Sequence, residues 1–519
     1  MFARVPALRA LDRGLVADRS PRVRRATPAA AGAYVRRHQV AVAIAFGLIL
    51  TLLLRAPWYD AALGRDEGGV AMVARDWHGG GPFAYGSLFL DRPPLLVALY
   101  RLAGDSQVGI RALGAVAGGL LVVTSTLLAV RIAGRRAAPW AAAVAAVLAS
   151  SYAIRSIFTP AELLAAVPSS ASVLLLVVAL ERAPRRLWLF AGAGALGAAA
   201  LLVKQSFGDA LAAGVVALVA AKLLGVPWRE TARRAGAYFG GVAVVALGLV
   251  AWALLTHISA HSVWYAMFGF RIDSVSALVN NSLASRLSAL DSPLLDSGLA
   301  IAGLFALGAV VRLRGRPVVR ITLLAWIAAA AGGILLGGSY WPHYLIALVP
   351  AAAAGAAVAF QRYRVLGALA MVAIAAPTVI HAAHAARNDS ADSFQHDVVA
   401  TAHYIRDRSL PGDTAWVMYS KVNTLYYTGL RDPYPYNWSL MLRAVPGAEQ
   451  RLRSLLASNA RPTWIVRAEG PRAFGLDKAG ITKRLVATHY SSVGRICGSV
   501  LLLAHGAHVR AAPPGNACS

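Results

Sequence analysis

Charge is scarce in this sequence, and acid is scarcer still. Charged residues make up 14% of the 519, with 24 Asp and Glu against 51 Lys and Arg, while 58% of the chain is hydrophobic. Mean hydropathy is +0.57. So little charge excludes an ordinary soluble globular protein and reads as a polytopic membrane protein. A formal charge of +27 would point to nucleic acid on a soluble chain. Here the arginines fall in short clusters between apolar runs, where they orient a chain in a bilayer, so no nucleic-acid partner is expected. Cysteine is nearly absent: Cys497 and Cys518 both lie near the C-terminus, lack the spacing of a metal site, and leave a disulfide open if that end is extracytoplasmic. A small-residue cleavage site is missing too. The first apolar run ends at Arg55-Ala56-Pro57-Trp58 and is expected to be a retained membrane helix, not a signal peptide. No internal repeat is visible.

What is present is a succession of apolar runs. About eleven satisfy the requirement of roughly 20 mostly apolar residues, beginning near 39, 109, 138, 161, 187, 207, 236, 297, 321, 343 and 365. Residues 1–38 are rich in arginine without apolar periodicity and read as a disordered basic cytoplasmic tail. Arg131, Arg135 and Arg136, then Arg182, Arg185 and Arg186, then Arg229, Arg233 and Arg234, then Arg312, Arg314, Arg316 and Arg320, then Arg362 and Arg364 occupy every second connection. Cytoplasmic loops carry such an excess, which places the N-terminus inside and the C-terminal region outside. The alternate connections include two long ones, roughly 56–108 and 256–296, whose aromatic residues suit short helices lying in the interface. After about residue 385 aspartates appear, and β-type runs at Thr414–Tyr419 and Thr463–Val466 alternate with helical spacing over Phe394–Arg408 and Glu449–Ser458. The expected architecture is a transmembrane domain over 39–384 and a small extracytoplasmic α/β domain over 385–519.

Candidate chemistry gathers on the outer connections. Arg65-Asp66-Glu67-Gly68 follows the first helix, and ionised carboxylates near the bilayer are costly unless paired, hydrogen-bonded or used. Solvation of a surface loop is the bland alternative. Arg65 beside the pair, the Gly68-Gly69 step that admits close approach, and Asp91-Arg92-Pro93-Pro94 downstream weigh against it. Arg92 precedes two prolines that stiffen the backbone, so its guanidinium is held as a fork for phosphate oxygens, against the alternative of a snorkelling arginine. Glu162 opens the helix after Pro160, where a carboxylate also complements the helix dipole. Lys204 and Arg271 are further cations for a phosphate, or plain interfacial anchors. His343 and Tyr344 lie in Tyr340-Trp341-Pro342-His343-Tyr344, at another outer helix end. His257 and His261 would share a helical face as metal ligands do, but no acid stands between them, and interface is the better reading.

A first outer loop with Asp-Glu-Gly, a later basic residue-Pro-Pro-Leu-Leu, an acid opening a helix, and a late His-Tyr-Leu with a following Pro resemble the bacterial family 39 glycosyltransferases. These sit in the C-type membrane glycosyltransferase superfamily, with protein O-mannosyltransferases and the aminoarabinose transferase. The resemblance covers roughly residues 39–384. It implies transfer of a sugar from a polyprenyl-phosphate-linked donor to a glycan, lipid or protein acceptor on the outer face of a bacterial cell membrane. Asp66 inherits the role of catalytic base, with Glu67 as its partner and Glu162 as a second acid. Arg92 stands where the family usually has lysine, so phosphate binding survives but its geometry changes. An acceptor hydroxyl is a poor nucleophile, and a positioned carboxylate that takes its proton permits inversion in one displacement. The leaving lipid phosphate needs cations or a divalent metal, and the metal requirement is left open. The competing readings are a transporter or lipid-linked-sugar flippase, and a non-catalytic scaffold.

Overall fold

In a computed structural model, residues 38–104, 106–181, 186–278, 283–388 and 394–511 are described. The expected basic tail and Cys518 lie outside them. Among the described residues, seven helical segments are long and apolar enough to cross a membrane: Gln39–Trp58, Gln107–Ala133, Ala161–Glu181, Trp228–Leu255, Pro317–Leu336, Pro342–Arg362 and Arg364–Arg387. An eighth is added if Ala284–Asp296 and Leu299–Val311, bent by 85°, form one span. The chain is thus built to pass the membrane several times, and among the described residues seven or eight helices have full spanning length, against eleven apolar runs. The runs near 138, 187 and 207 give helices of 11, 17 and 15 residues, ended by turns at Ala149 and Leu224 and by extended backbone at Lys204.

We number the elements used below. Helix α1 is Gln39–Arg55, α2 Arg65–Arg75, α3 Pro94–Leu102, α4 Gln107–Ala133, α5 Ala138–Leu148, α6 Ala161–Glu181 and α7 Leu187–Val203. The packed centre is built from α4, α5, α6 and Val349–Arg362, where alanine and glycine let helices approach closely, and α1 packs against it by one face while Phe46, Ile49, Leu52 and Leu53 stay exposed. Trp228–Leu255 and Arg364–Arg387 lie at the rim and leave Val244, Leu247, Leu254, Val365 and Val372 exposed, as lipid-facing helices do.

The arginine-rich connections meet at one end. Arg316 Nη1 donates to the Arg131 carbonyl at 2.9 Å and to Glu181 at 2.8 Å, and Gln361 Nε2 donates to the Ala133 carbonyl at 3.2 Å. Connections expected to lie on one side of the membrane therefore lie together.

The long connection after α1 folds inward. Tyr85 and Phe89 are 2% exposed, and Phe89 meets Tyr265, Phe270 and Tyr436 at centroid separations of 5.5–5.7 Å. Phe83, Phe89 and Tyr265 thus join the two long connections to the C-terminal part through Tyr436, while Tyr59, Trp264 and Phe268 stay exposed, as interfacial aromatics would be. His257 has a left-handed φ of 56° and precedes the helix that Ser259 caps, so it does not share a helical face with His261.

The C-terminal part carries a four-stranded sheet of β1 Ala415–Val417, β2 Trp464–Arg467, β3 Tyr490–Ile496 and β4 Ser499–Ala504, in the order β1-β2-β4-β3. β1 runs parallel to β2, and β4 is antiparallel to both neighbours. Helices His396–Arg408 and Ala448–Ala457 confirm the helical spacing read from sequence, as β1 and β2 do the β-type runs.

Candidate functional site

Helix α2 begins where the chain supplies its own cap. The Gly64 N–H donates to Glu67 Oε2 at 2.8 Å, which satisfies one of the donors left open at a helix start. Both acids of the first turn also sit at the positive end of the helix. Glu67 is then fully engaged: Arg111 Nη1 lies 2.5 Å from Oε1, and the Thr159 N–H donates to the same oxygen at 2.7 Å. Arg111 further donates to the carbonyls of Ala61 and Ala62. Asp66 points elsewhere, and Trp438 Nε1 donates to its Oδ1 at 3.2 Å.

At the head of α3, Pro93 is extended and Pro94 occupies the first turn, so Arg92 is presented from a fixed backbone, as the sequence predicts. Its carbonyl accepts from the Tyr85 hydroxyl. Asp91 Oδ2 pairs with both Arg92 Nη1 and Arg271 Nη2, each at 2.6 Å, and so ties the two long connections together. Across the cavity, Glu162 is 2% exposed at the first turn of α6. Lys204 Nζ, at the end of α7, lies 3.0 Å from Glu162 Oε1, and His343 Nε2 lies 3.8 Å from it. The Lys204 ammonium also stands over the Tyr344 ring at 5.4 Å. Arg65 is exposed and lies over Trp341 at 5.8 Å.

Two cavities share this cluster. A polar one of about 280 Å³ is lined by Arg65, Asp66, Glu67, Arg92, Glu162, Lys204 and His343, and by Tyr100, Arg155, Phe394 and Gln395. A larger one of about 680 Å³ runs between Met267, Phe268, Ile272 and Leu336, with Lys204, Arg271 and Tyr344 among its walls. Lys204 belongs to both.

The electrostatics follow from this crowding. Burial pushes the Asp66 carboxyl up, but Arg92, Arg65 and His343 together outweigh it and hold the group below the usual carboxylate range. Burial and then Arg92 lower Lys204 to about 8, against the pull of Glu162. For Arg92, burial acts downward and the carboxylates of Asp91 and Asp66 overcome it, so it stays charged. An ionised carboxylate, a cluster of cations and an apolar trough are the parts needed to take a proton and receive a lipid phosphate. Among the described residues no group of three or more His, Cys, Asp or Glu gathers as metal ligands would.

Sequence reasoning brings together Asp66, Arg92, Glu162, Lys204 and His343, and all of them line one cavity. Arg271 and Tyr344 line the adjoining one. It misses Arg111, although an arginine inside an apolar run is itself a signal. It also misses Trp438, Phe394 and Gln395, for which no local pattern exists.

No family model matches this chain, and no curated protein matches it in sequence. Solved structures do. ArnT from Cupriavidus metallidurans, bound to undecaprenyl phosphate, superposes with a TM-score of 0.63 at 18% identity, over 89% of this chain and 97% of that one. The Archaeoglobus fulgidus oligosaccharyltransferase tethered to an acceptor peptide gives 0.53 at 14% identity, over 89% and 73%. The archaeal oligosaccharyltransferase AglB from Archaeoglobus fulgidus, in complex with an inhibitory peptide and a dolichol-phosphate, gives 0.50 at 14%, over 83% and 70%. The fold of this chain, from its first membrane helix through its C-terminal sheet, is the one seen in ArnT and in the Archaeoglobus fulgidus oligosaccharyltransferase.

Proposed function

We propose that this protein transfers a sugar from a polyprenyl-phosphate-linked donor to an acceptor hydroxyl at the outer face of the membrane, with inversion. The observation that carries the reading is the meeting of two cavities at Lys204: a largely apolar trough of about 680 Å³, and a polar chamber holding Asp66. The polyprenyl chain lies along Met267, Phe268, Ile272 and Leu336, and its phosphate is met by Lys204, Arg271 and Arg92. ArnT and AglB, which share the fold, are known with undecaprenyl phosphate and dolichol-phosphate bound.

Asp66 is the base. Its ionised carboxylate takes the acceptor hydroxyl proton as that oxygen attacks the anomeric carbon. The carbon–oxygen bond to phosphate breaks, and its electron pair leaves with the lipid phosphate. The cations stabilise the charge gathering there, which is where electrostatic catalysis is most effective. Glu162 holds Lys204 and His343 in place, since both face its Oε1. Glu67 acts through Arg111 on the shape of α2. The basic connections at the opposite end of the molecule support a cytoplasmic location for that end, and so an extracytoplasmic C-terminal unit.

The test is transfer in purified membranes with a panel of undecaprenyl-phosphate sugars, comparing wild type with Asp66→Asn and Glu162→Gln. Loss of product in Asp66→Asn with retained donor binding is expected. Movement of a labelled lipid-linked sugar across the membrane with no transfer product would overturn the proposal in favour of a flippase.

A further inference from the structure

Gly68 and Gly69 lie on the side of α2 turned to the C-terminal unit. A Cβ on Gly68 would stand 2.5 Å from that of Asn423, and one on Gly69 would stand 2.4 Å from Cζ2 of Trp438. No side chain fits at either position, so the α2 backbone lies directly against Asn423 and the Trp438 indole. Other bonds pin this approach. Asn423 Nδ2 donates to the Leu63 carbonyl at 2.9 Å, the Leu63 N–H donates to the Tyr427 hydroxyl at 2.6 Å, and that hydroxyl donates to Gln107 Oε1 at 2.8 Å.

The close step that the glycines permit therefore serves the C-terminal unit, and it brings an indole N–H to Asp66. An indole has one polar atom, and it only donates. Here it donates to Oδ1 of Asp66, and among the described residues Oδ2 accepts no hydrogen bond. A carboxylate turns broadly about its last torsion, and a displacement of about 1 Å at a reacting group costs about 100-fold in rate.

We infer that Trp438 is a positioning residue: its indole N–H holds Oδ1 of Asp66, so that Oδ2 is the oxygen that takes the acceptor proton. The C-terminal unit thereby completes a chamber whose charged groups all precede Tyr344. This inference rests on Asp66 as the base. The other groups acting on Asp66 are Arg65 from its own helix, Arg92 from the head of α3, and His343 from the segment Pro342–Arg362. Tyr100, Tyr344 and Glu162 stand in the same field. All of these are unchanged in Trp438→Phe, which keeps the ring and removes the N–H.

The experiment uses the full chain in detergent. Modification of Asp66 by a water-soluble carbodiimide with glycine ethyl ester, which requires the protonated acid, is followed against pH by peptide mass spectrometry. The midpoint in Trp438→Phe is expected to move up by about one pH unit, the loss of a hydrogen bond to the charged form. In Tyr427→Phe, which cuts the neighbouring pin and keeps the indole, it is expected to stay at the wild-type value. In the transfer assay Trp438→Phe is expected to lose about 10-fold in kcat with KM for the donor unchanged. An unmoved midpoint in Trp438→Phe, or an equal movement in Tyr427→Phe, would overturn the inference. A moved midpoint with no transfer by wild type from any donor overturns Asp66 as base and upholds the Trp438 bond to it.

Discussion

Asp66 and Glu67 are chain neighbours at the start of α2, yet the two sides of that helix are different environments. Glu67 is 6% exposed, with Arg111, Gly64 and Thr159 using both of its oxygens. Asp66 is half-buried, faces the cavity, and among the described residues accepts a single hydrogen bond, from a distant tryptophan. A carboxylate closed in by partners fixes the backbone; one held ionised by cations at a distance is free to take a proton. The difference teaches that adjacency of two acids says little about shared chemistry. Their roles follow from what encloses each.

That contrast breaks most sharply at Asp66. Asp66→Asn is expected to lower transfer by about 10²–10⁴-fold, as removal of a general base does, with the melting temperature near that of wild type. Arg111→Ala acts on the other side, leaving the Glu67 charge buried and unpaired at a cost of about 3–5 kcal/mol, read as a fall in Tm and in folded yield. Should Arg111→Ala instead keep its Tm and lose turnover, Glu67 would belong to the chemistry. Gly68→Ala places a methyl group against Asn423 and is expected to cost about 1–3 kcal/mol, seen as faster proteolysis of the C-terminal unit. The smallest effect is on the pH profile of kcat/KM. Because the Asp66 carboxyl lies below its ordinary range, rate falls only as pH drops through that lowered value. Lys204 loses its charge as pH rises through about 8, so phosphate recognition fades on the alkaline side. A profile flat through pH 8 would remove Lys204 from donor binding.

Much of the site was legible because ionised groups at the ends of apolar runs are rare and expensive. Asp66, Arg92, Glu162, Lys204 and His343 each stand out for that reason, and alternation of the basic connections places them together. Of the eleven expected spans, seven or eight are met by helices of full length among the described residues, and hydropathy alone does not see that α5 has 11 residues and ends at Ala149. The inward aromatics were misread because Tyr85 and Phe89 look the same in an interface as in a core. Trp438 was invisible for a different reason: a tryptophan among Tyr434, Tyr436 and Trp438 carries no sign of which carboxylate it will meet.

The bond between Asp66 and Trp438 spans 372 residues. At a synthesis rate of about 5–20 residues per second, roughly 20–70 seconds separate the appearance of the two partners. For that interval the nascent chain holds a membrane helix, an acid and an arginine fork, but no finished chamber around them. The inferred enzyme therefore has no oriented base until its last unit has folded onto α2, and a chain cut short before that point would sit in the bilayer with its chemistry unassembled.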